Sequence, residues 1–350
     1  MKKLNFIIKY GLALLLLSFY SCESWLNVTP SDRLSEEMLF NDREGFVKAL
    51  NGVYIELNTN ELYGRNLTAG ALDVMGQYYS VASSSHAFYN YGGLVYTGND
   101  EKALFDNMWQ KCYAVIACCN TIIEKCDENK AGLSPVWKGS IKGEALALRA
   151  MLHFDMLRLF GPLTSELDKE SIPYQTNSDQ TVTPLLSGSE VIGLILDDLK
   201  NAVGLLKDTD PYFVEEEFSD TDLNYRRFRM NYFAAKGLMA RVQLWGGDKE
   251  KAAITAKEVI AEGQAEGAEF FPFVTNSEAT SSNPDRVFYS EVLFGTYHSS
   301  REKLHEDLFA PTLESTSILT LAGTARRDDL YDNENDYRYS VWSTYNKNGT

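Results

Sequence analysis

Among 350 residues there are four histidines, nine prolines and five cysteines, and basic residues are outnumbered 33 to 49. Each shortage excludes something. His86, His153, His298 and His305 are scattered, and there is no His-Glu-x-x-His, no Gly-x-Ser-x-Gly and no phosphate loop with lysine. Zinc-protease, serine-hydrolase and nucleotide-driven chemistry therefore have no local signature, and no catalytic residue or cofactor is expected. The formal charge of -16 becomes more negative if Lys2, Lys3 and Lys9 leave with a leader, which argues against nucleic acid as a partner. The apolar run Leu12 to Phe19 is too short for a stable membrane span.

Two acidic arrangements invite a chemical reading and fail it. Asp197 and Asp198 could suggest glycosidase carboxylates, but adjacent residues on a helix diverge by about 100 degrees. Asp332, Glu334 and Asp336 have the alternate spacing of a calcium loop; Tyr337 stands at the sixth position and Ser343 at the twelfth, where glycine and glutamate are needed. No metal site is assigned.

What is present is apolar content of 44%, ample for a core, and strong helical periodicity. In Ile141 to Leu163 the apolar positions cover nearly every face of a helix, so other helices must sandwich it. Gly161-Pro162 should stop it, glycine by taking the left-handed turn. His153 on this helix reads as a hydrogen-bonded core residue. Cys112, Cys119 and Cys126 repeat every seven residues on another helix, neighbours roughly 10 Å apart. That separation is too great for a disulfide or one shared metal ion, so they read as small buried contacts, with Cys118 pointing elsewhere.

Helical segments pair along the chain: 43–57 with 104–126, 141–160 with 189–206, and 231–245 with 249–261. The last pair is clearest, with Gly246-Gly247 between its helices, Asp248 as a cap and alanines at the contact. The fold class is all-α, a degenerate tetratricopeptide-type stack of helix pairs carrying long irregular insertions. Thr164 to Gly188 reads as loop, and Glu291 to Gly295 as a short strand; from Phe270 onward the helical pattern fades. Residues 1–21 read as an export signal with Lys2-Lys3 at its head and 22–42 as a tether, leaving 43–350 as one domain.

Gly143, Glu144, Ala145, Arg149, Ala150, Phe154, Arg158, Phe160 and Gly161 form a run that resembles the central helix of the SusD/RagB family. Ala49 to Tyr54, Asn120 to Ile123 and Asp197 to Ala202 match it as well. The resemblance implies a surface lipoprotein that captures nutrients, usually glycans, for a TonB-dependent (SusC-like) outer-membrane transporter. It supports lipidation at Cys22, where Ser21 is an acceptable preceding residue although Phe19 and Tyr20 depart from the usual pattern; plain secretory cleavage or an uncleaved anchor are the alternatives. The family runs substantially further, so a last helix pair is expected to be missing here, leaving an apolar face without its cap.

Ligand contact is expected in residues 58–103, rich in Tyr, Ser, Gly and Asn, and more weakly in 264–350. Sugars present flat C–H faces that stack on rings, with hydroxyls taken by Asp, Asn or Gln. Asp73, Gln77, Tyr78, Tyr79, Tyr89, Asn90 and Tyr91 are the candidates, with Tyr297 and Trp342 as additions. Peptide capture, or a transporter lid that touches no ligand, are the competing readings.

Overall fold

The computed structural model describes residues 36–321, apart from 82, 180, 215–216, 220–224 and 266–267, together with 328, 331, 333 and 336. Cys22, Trp342, Asp332 and Glu334 lie outside the described residues.

Six helices form the stack, and their ends follow local chemistry. Helix α1 (Arg43–Leu57) starts where the Asp42 carboxylate accepts the Gly45 N–H at 2.8 Å, and it buries Phe46, Leu50, Val53, Tyr54 and Leu57. Helix α2 (Asn99–Glu128) is 30 residues long and stops at Asn129, whose left-handed backbone and side-chain bonds to Leu133 close the turn. It begins five residues before the apolar periodicity does. Helix α3 (Pro135–Phe160) is capped by Ser134 with Pro135 in its first turn, so it starts six residues before Ile141. Helix α4 (Gly188–Thr209) opens with a capping box in which Ser187 and Glu190 satisfy each other's backbone N–H groups. Helices α5 (Tyr232–Trp245) and α6 (Lys249–Gly263) are capped by Asn231 and Asp248.

The three expected pairs form: α1 packs on α2, α3 on α4, and α5 on α6, with α2 against α3 and α4 against α5 joining them into a stack. Helix α3 is at the centre, and of the run from Gly139 to Leu157 only Lys142 escapes burial. Its glycines set the closest approach. A Cβ at Gly143 would lie 2.7 Å from the Leu206 side chain of α4, so no larger residue fits without moving α4.

Several details differ from the sequence expectation. Gly161 is extended (φ -86°, ψ 179°), not left-handed; a Cβ there would lie 2.5 Å from the Leu157 carbonyl oxygen, so the position needs a small residue for space. The insertion Thr164 to Gly188 is not all loop: Glu170–Pro173 and Leu185–Ser187 pair antiparallel. Glu291 to Gly295 is no strand; Glu291 closes a single 3-10 turn, Tyr289–Glu291, and the chain then bends at Leu293, whose carbonyl accepts from Asn231 at 2.7 Å. Past Phe270 there is also a helix the periodicity does not announce, α7 (Arg301–Leu308). Among the described residues no helix is long and apolar enough to cross a membrane.

Burial divides into two clusters. The large one belongs to the six-helix stack; the small one holds Ala69, Ala71, Val74, Phe88, Tyr91, Leu308 and Leu319.

Candidate ligand-binding site

The small cluster is what residues 58–103 are built on. After a series of turns, Gly70 takes a left-handed conformation (φ 88°) with its α-carbon under the Phe88 ring, where a Cβ would come within 2.9 Å. A short helix, Ala71–Met75, follows and drops Val74 into the cluster. Tyr79–Ser80 then pairs antiparallel with Thr320–Leu321, and the Leu319 N–H donates to the Leu308 carbonyl at 2.8 Å. Thus α7 and the segment after it supply two of the seven buried residues of the core on which the early loop sits, Leu308 and Leu319. The Tyr79 ring packs on Phe309 at 5.3 Å, and Phe88, Tyr91 and Phe105 form an edge-to-face series.

This arrangement sorts the candidates. Tyr91 is 3% exposed and packs inside the cluster, so its ring offers no face to a ligand; burial pushes its hydroxyl up to about 12. Asn90 donates to Glu101 at 2.8 Å, and the Gln77 amide is turned onto the carbonyls of Val74 and Gly92. Tyr79 is half-buried. Tyr78 and Tyr89 are the exposed rings, at 45% and 44%. Asp73, half-buried on the Ala71–Met75 helix, has its carboxyl raised to about 6 by burial, with no cation to oppose it. Tyr297 is exposed and stands edge-on to Phe228 at 5.7 Å, outside the small cluster. Its neighbour His298 meets the Gly64 carbonyl at 2.9 Å, which ties that segment to the turns before Gly70.

Two charged residues of the sequence motif, Glu144 and Arg149, are placed elsewhere, inside the stack, while Arg158 is exposed. Arg149 makes two 2.7 Å bonds to Asp198 and one of 2.9 Å to Asn120, while the Tyr174 hydroxyl donates to the same Asp198. Asp197, next along the helix, is exposed, as the helical divergence requires. Glu144 accepts from the Tyr54 hydroxyl and from Arg226 and Arg229, and Arg226 makes two bonds to Asp210. Burial would raise Glu144, but the two guanidiniums hold its carboxyl below the usual value. Asp155 accepts from Tyr63 and Arg158. His153 donates from Nδ1 to the Arg149 carbonyl and accepts the Gln175 N–H at Nε2, a neutral tautomer fixed at both ends; burial lowers its pKa to about 3. These residues hold helices together and leave little charge for chemistry. Cys112, Cys119 and Cys126 are buried on one face of α2, and Cys118 is exposed. Among the described residues no three His, Cys, Asp or Glu converge as metal ligands.

Sequence reasoning could quote Glu144, Arg149 and the latter's partners Asn120 and Asp198, but not Arg226 or Asp210, which lie 82 and 66 residues beyond Glu144 in a segment without periodicity. It missed α7, whose partners Leu304, Leu308 and Phe309 complete the small core.

The SusD-like family described as starch-binding and associating with the outer membrane matches residues 24–244. A SusD-like protein of Formosa agariphila, P2, is 26% identical over 265 residues, 74% of this chain and 46% of its own length. A SusD-like protein of Bacteroides ovatus is 30% identical over 146 residues, 41% of this chain and 23% of its own. The chain thus spans less than half the length of these curated relatives. Among solved structures, a SusD-like carbohydrate-binding protein of Bacteroides vulgatus superposes with a TM-score of 0.64 at 21% identity, covering 86% of this chain and 60% of that one. A SusD superfamily protein of Bacteroides thetaiotaomicron gives 0.63 at 20%, covering 85% and 63%. At that identity the likeness is one of fold.

Proposed function

Because this chain belongs to the SusD-like family, we propose that it captures an oligosaccharide or polysaccharide and hands it to a SusC-like TonB-dependent transporter of the outer membrane. In this reading a lipid on Cys22 anchors it at the cell surface, and capture involves no bond cleavage. The observation that carries the reading is the pair of exposed rings, Tyr78 and Tyr89, on a segment inside the part that matches a starch-binding family. A ring half out of water costs apolar exposure unless something covers it, and the C–H face of a sugar does so while its hydroxyls stay hydrated. Asp73 is the nearest acidic acceptor in sequence, with Tyr79, Gln77 and Asn90 setting the shape of the turn. Tyr297 stands apart, edge-on to Phe228, and Trp342 and Cys22 enter from the sequence alone.

The test is retention in native gels cast with a panel of soluble polysaccharides, followed by calorimetry on the glycan that retards the protein. Tyr78→Ala with Tyr89→Ala should weaken binding at least tenfold, at about 1 kcal/mol or more per stacked ring, without changing the melting temperature. Unchanged affinity in a folded double variant would remove the loop as the site. Retardation by none of the glycans, with a bound peptide recovered from the native protein, would favour peptide capture.

A further inference from the structure

Away from the loop module, a cavity of about 200 Å³ opens beside the first half of α3, lined by residues that include Trp137, Ser140, Phe218, Tyr225 and Arg229. Ser140 is some twenty residues from Phe160, whose ring meets Phe105 next to the small cluster, so at 1.5 Å per residue the two places are about 30 Å apart along the helix.

Three features of this cavity go unused by the fold. Ser140 is 3% exposed, and its hydroxyl has no hydrogen-bond partner among the described residues, which leaves it available to a group in the cavity. Arg229 gives Nε to Glu144 and Nη1 to Asn51 and keeps Nη2 without an acceptor among the described residues. Tyr225, 60% exposed, forms a rim with Phe218, which packs on Trp137 at 4.6 Å. The charges close among themselves: Arg226 and Arg229 are matched by Glu144 and Asp210. With its described charges paired off, two hydrogen-bonding groups in wait and aromatic walls, the cavity suits a neutral molecule with both hydroxyls and an apolar face. Its volume is below the usual range of small-molecule sites, which points to a ligand of about one ring.

We propose that this cavity is a second binding site, separate from the aromatic loop, for a single neutral sugar ring or a similarly small cyclic polyol, held between Tyr225 and the Ser140 hydroxyl. The proposal is independent of what the loop binds.

Saturation-transfer NMR on the full chain, with the methyl glycosides of glucose, galactose, mannose and xylose as probes, tests it. Transfer to ring C–H protons of at least one probe is expected, weakened about fivefold by Ser140→Ala and by Tyr225→Ala, and unaffected in the Tyr78→Ala, Tyr89→Ala variant. Ser140→Ala sits in a helix interior and Tyr225 is exposed, so both variants should melt with the parent. Absence of transfer from all four probes overturns the proposal. So does transfer lost in the loop variant but kept in the other two, which would place the sugar at the loop. Binding of glucuronate in place of every neutral probe would overturn the neutral assignment.

Discussion

The stack and the loop module are both held by buried side chains, but by different kinds. In the stack, apolar faces are crossed by ion pairs that never reach water: Arg149 with Asp198, and Arg226 with Asp210 and Glu144, each side chain 9% exposed or less. The core of the loop module is seven apolar or aromatic residues, with His86 and Glu101 buried beside it but no buried ion pair among the described residues, and it leaves Tyr78, Tyr89 and the Asp73 carboxylate toward the rim. A paired charge in a low dielectric tolerates one geometry, so the stack is built to be unique. An aromatic cluster of this size accepts small shifts, which suits a surface that must fit a ligand.

The largest expected effect breaks the stack's side of that contrast. Arg226→Met should cost about 3–5 kcal/mol, because Asp210 loses its cation while sealed from water and Glu144 keeps only Arg229. Denaturant unfolding measures it, and a loss below about 1 kcal/mol would mean that water reaches the pair.

A smaller and more local effect is expected in the module. Leu308→Ala removes a side chain that is 2% exposed and should cost about 2–3 kcal/mol there. Hydrogen exchange should rise in residues 69–92 and 301–321 while amides of α3 and α4 keep their protection, since the two clusters are separate. Equal loss of protection in α3 would show a single cooperative unit and end the distinction drawn above.

The stack was legible in the sequence because helices announce themselves locally. Ile141 to Leu163, Gly246-Gly247-Asp248 and the alanines of α5 and α6 placed all three pairs to within a few residues at most ends, and the seven-residue cysteine spacing gave the buried face of α2. The starts of α2 and α3 were missed because Asn99 to Lys102 and Lys138 to Ser140 are polar or small, and capping by Ser134 outweighs periodicity there. In the module, composition pointed to Tyr78 and Tyr89 as readily as to Tyr91. Tyr91 is inside because Phe88 and Phe105 close on its ring in a cluster that Leu308, more than 200 residues away, completes, and contacts at that separation leave no local period to read.

The remaining expected effect separates the two regions by the sign of their response to acid, and its Asp73 half is the smallest change of all. His153 has a folded pKa of about 3 against an ordinary 6.5, so below pH 6.5 the unfolded chain binds a proton that the folded stack refuses. Its contribution to stability falls by about 1.4 kcal/mol per unit as pH drops from 6.5 toward 3. Asp73 is the reverse: its folded pKa of about 6 lies above the ordinary 3.8, so the folded module binds the proton first, and stability from this group is lost as pH rises from about 4 through 6. Because Asp73 is half in water, its effect should be well under that of His153. Unfolding of His153→Gln and Asp73→Asn against the parent between pH 4 and 7 should therefore give difference slopes of opposite sign. The same titration bears on binding, since a protonated Asp73 accepts a sugar hydroxyl poorly; glycan affinity should decline below about pH 6 in the parent and stay flat in Asp73→Asn. Affinity and module stability would then move in opposite directions with pH, and a parent whose affinity and module protection rise together on acidification would remove Asp73 from the ligand's reach.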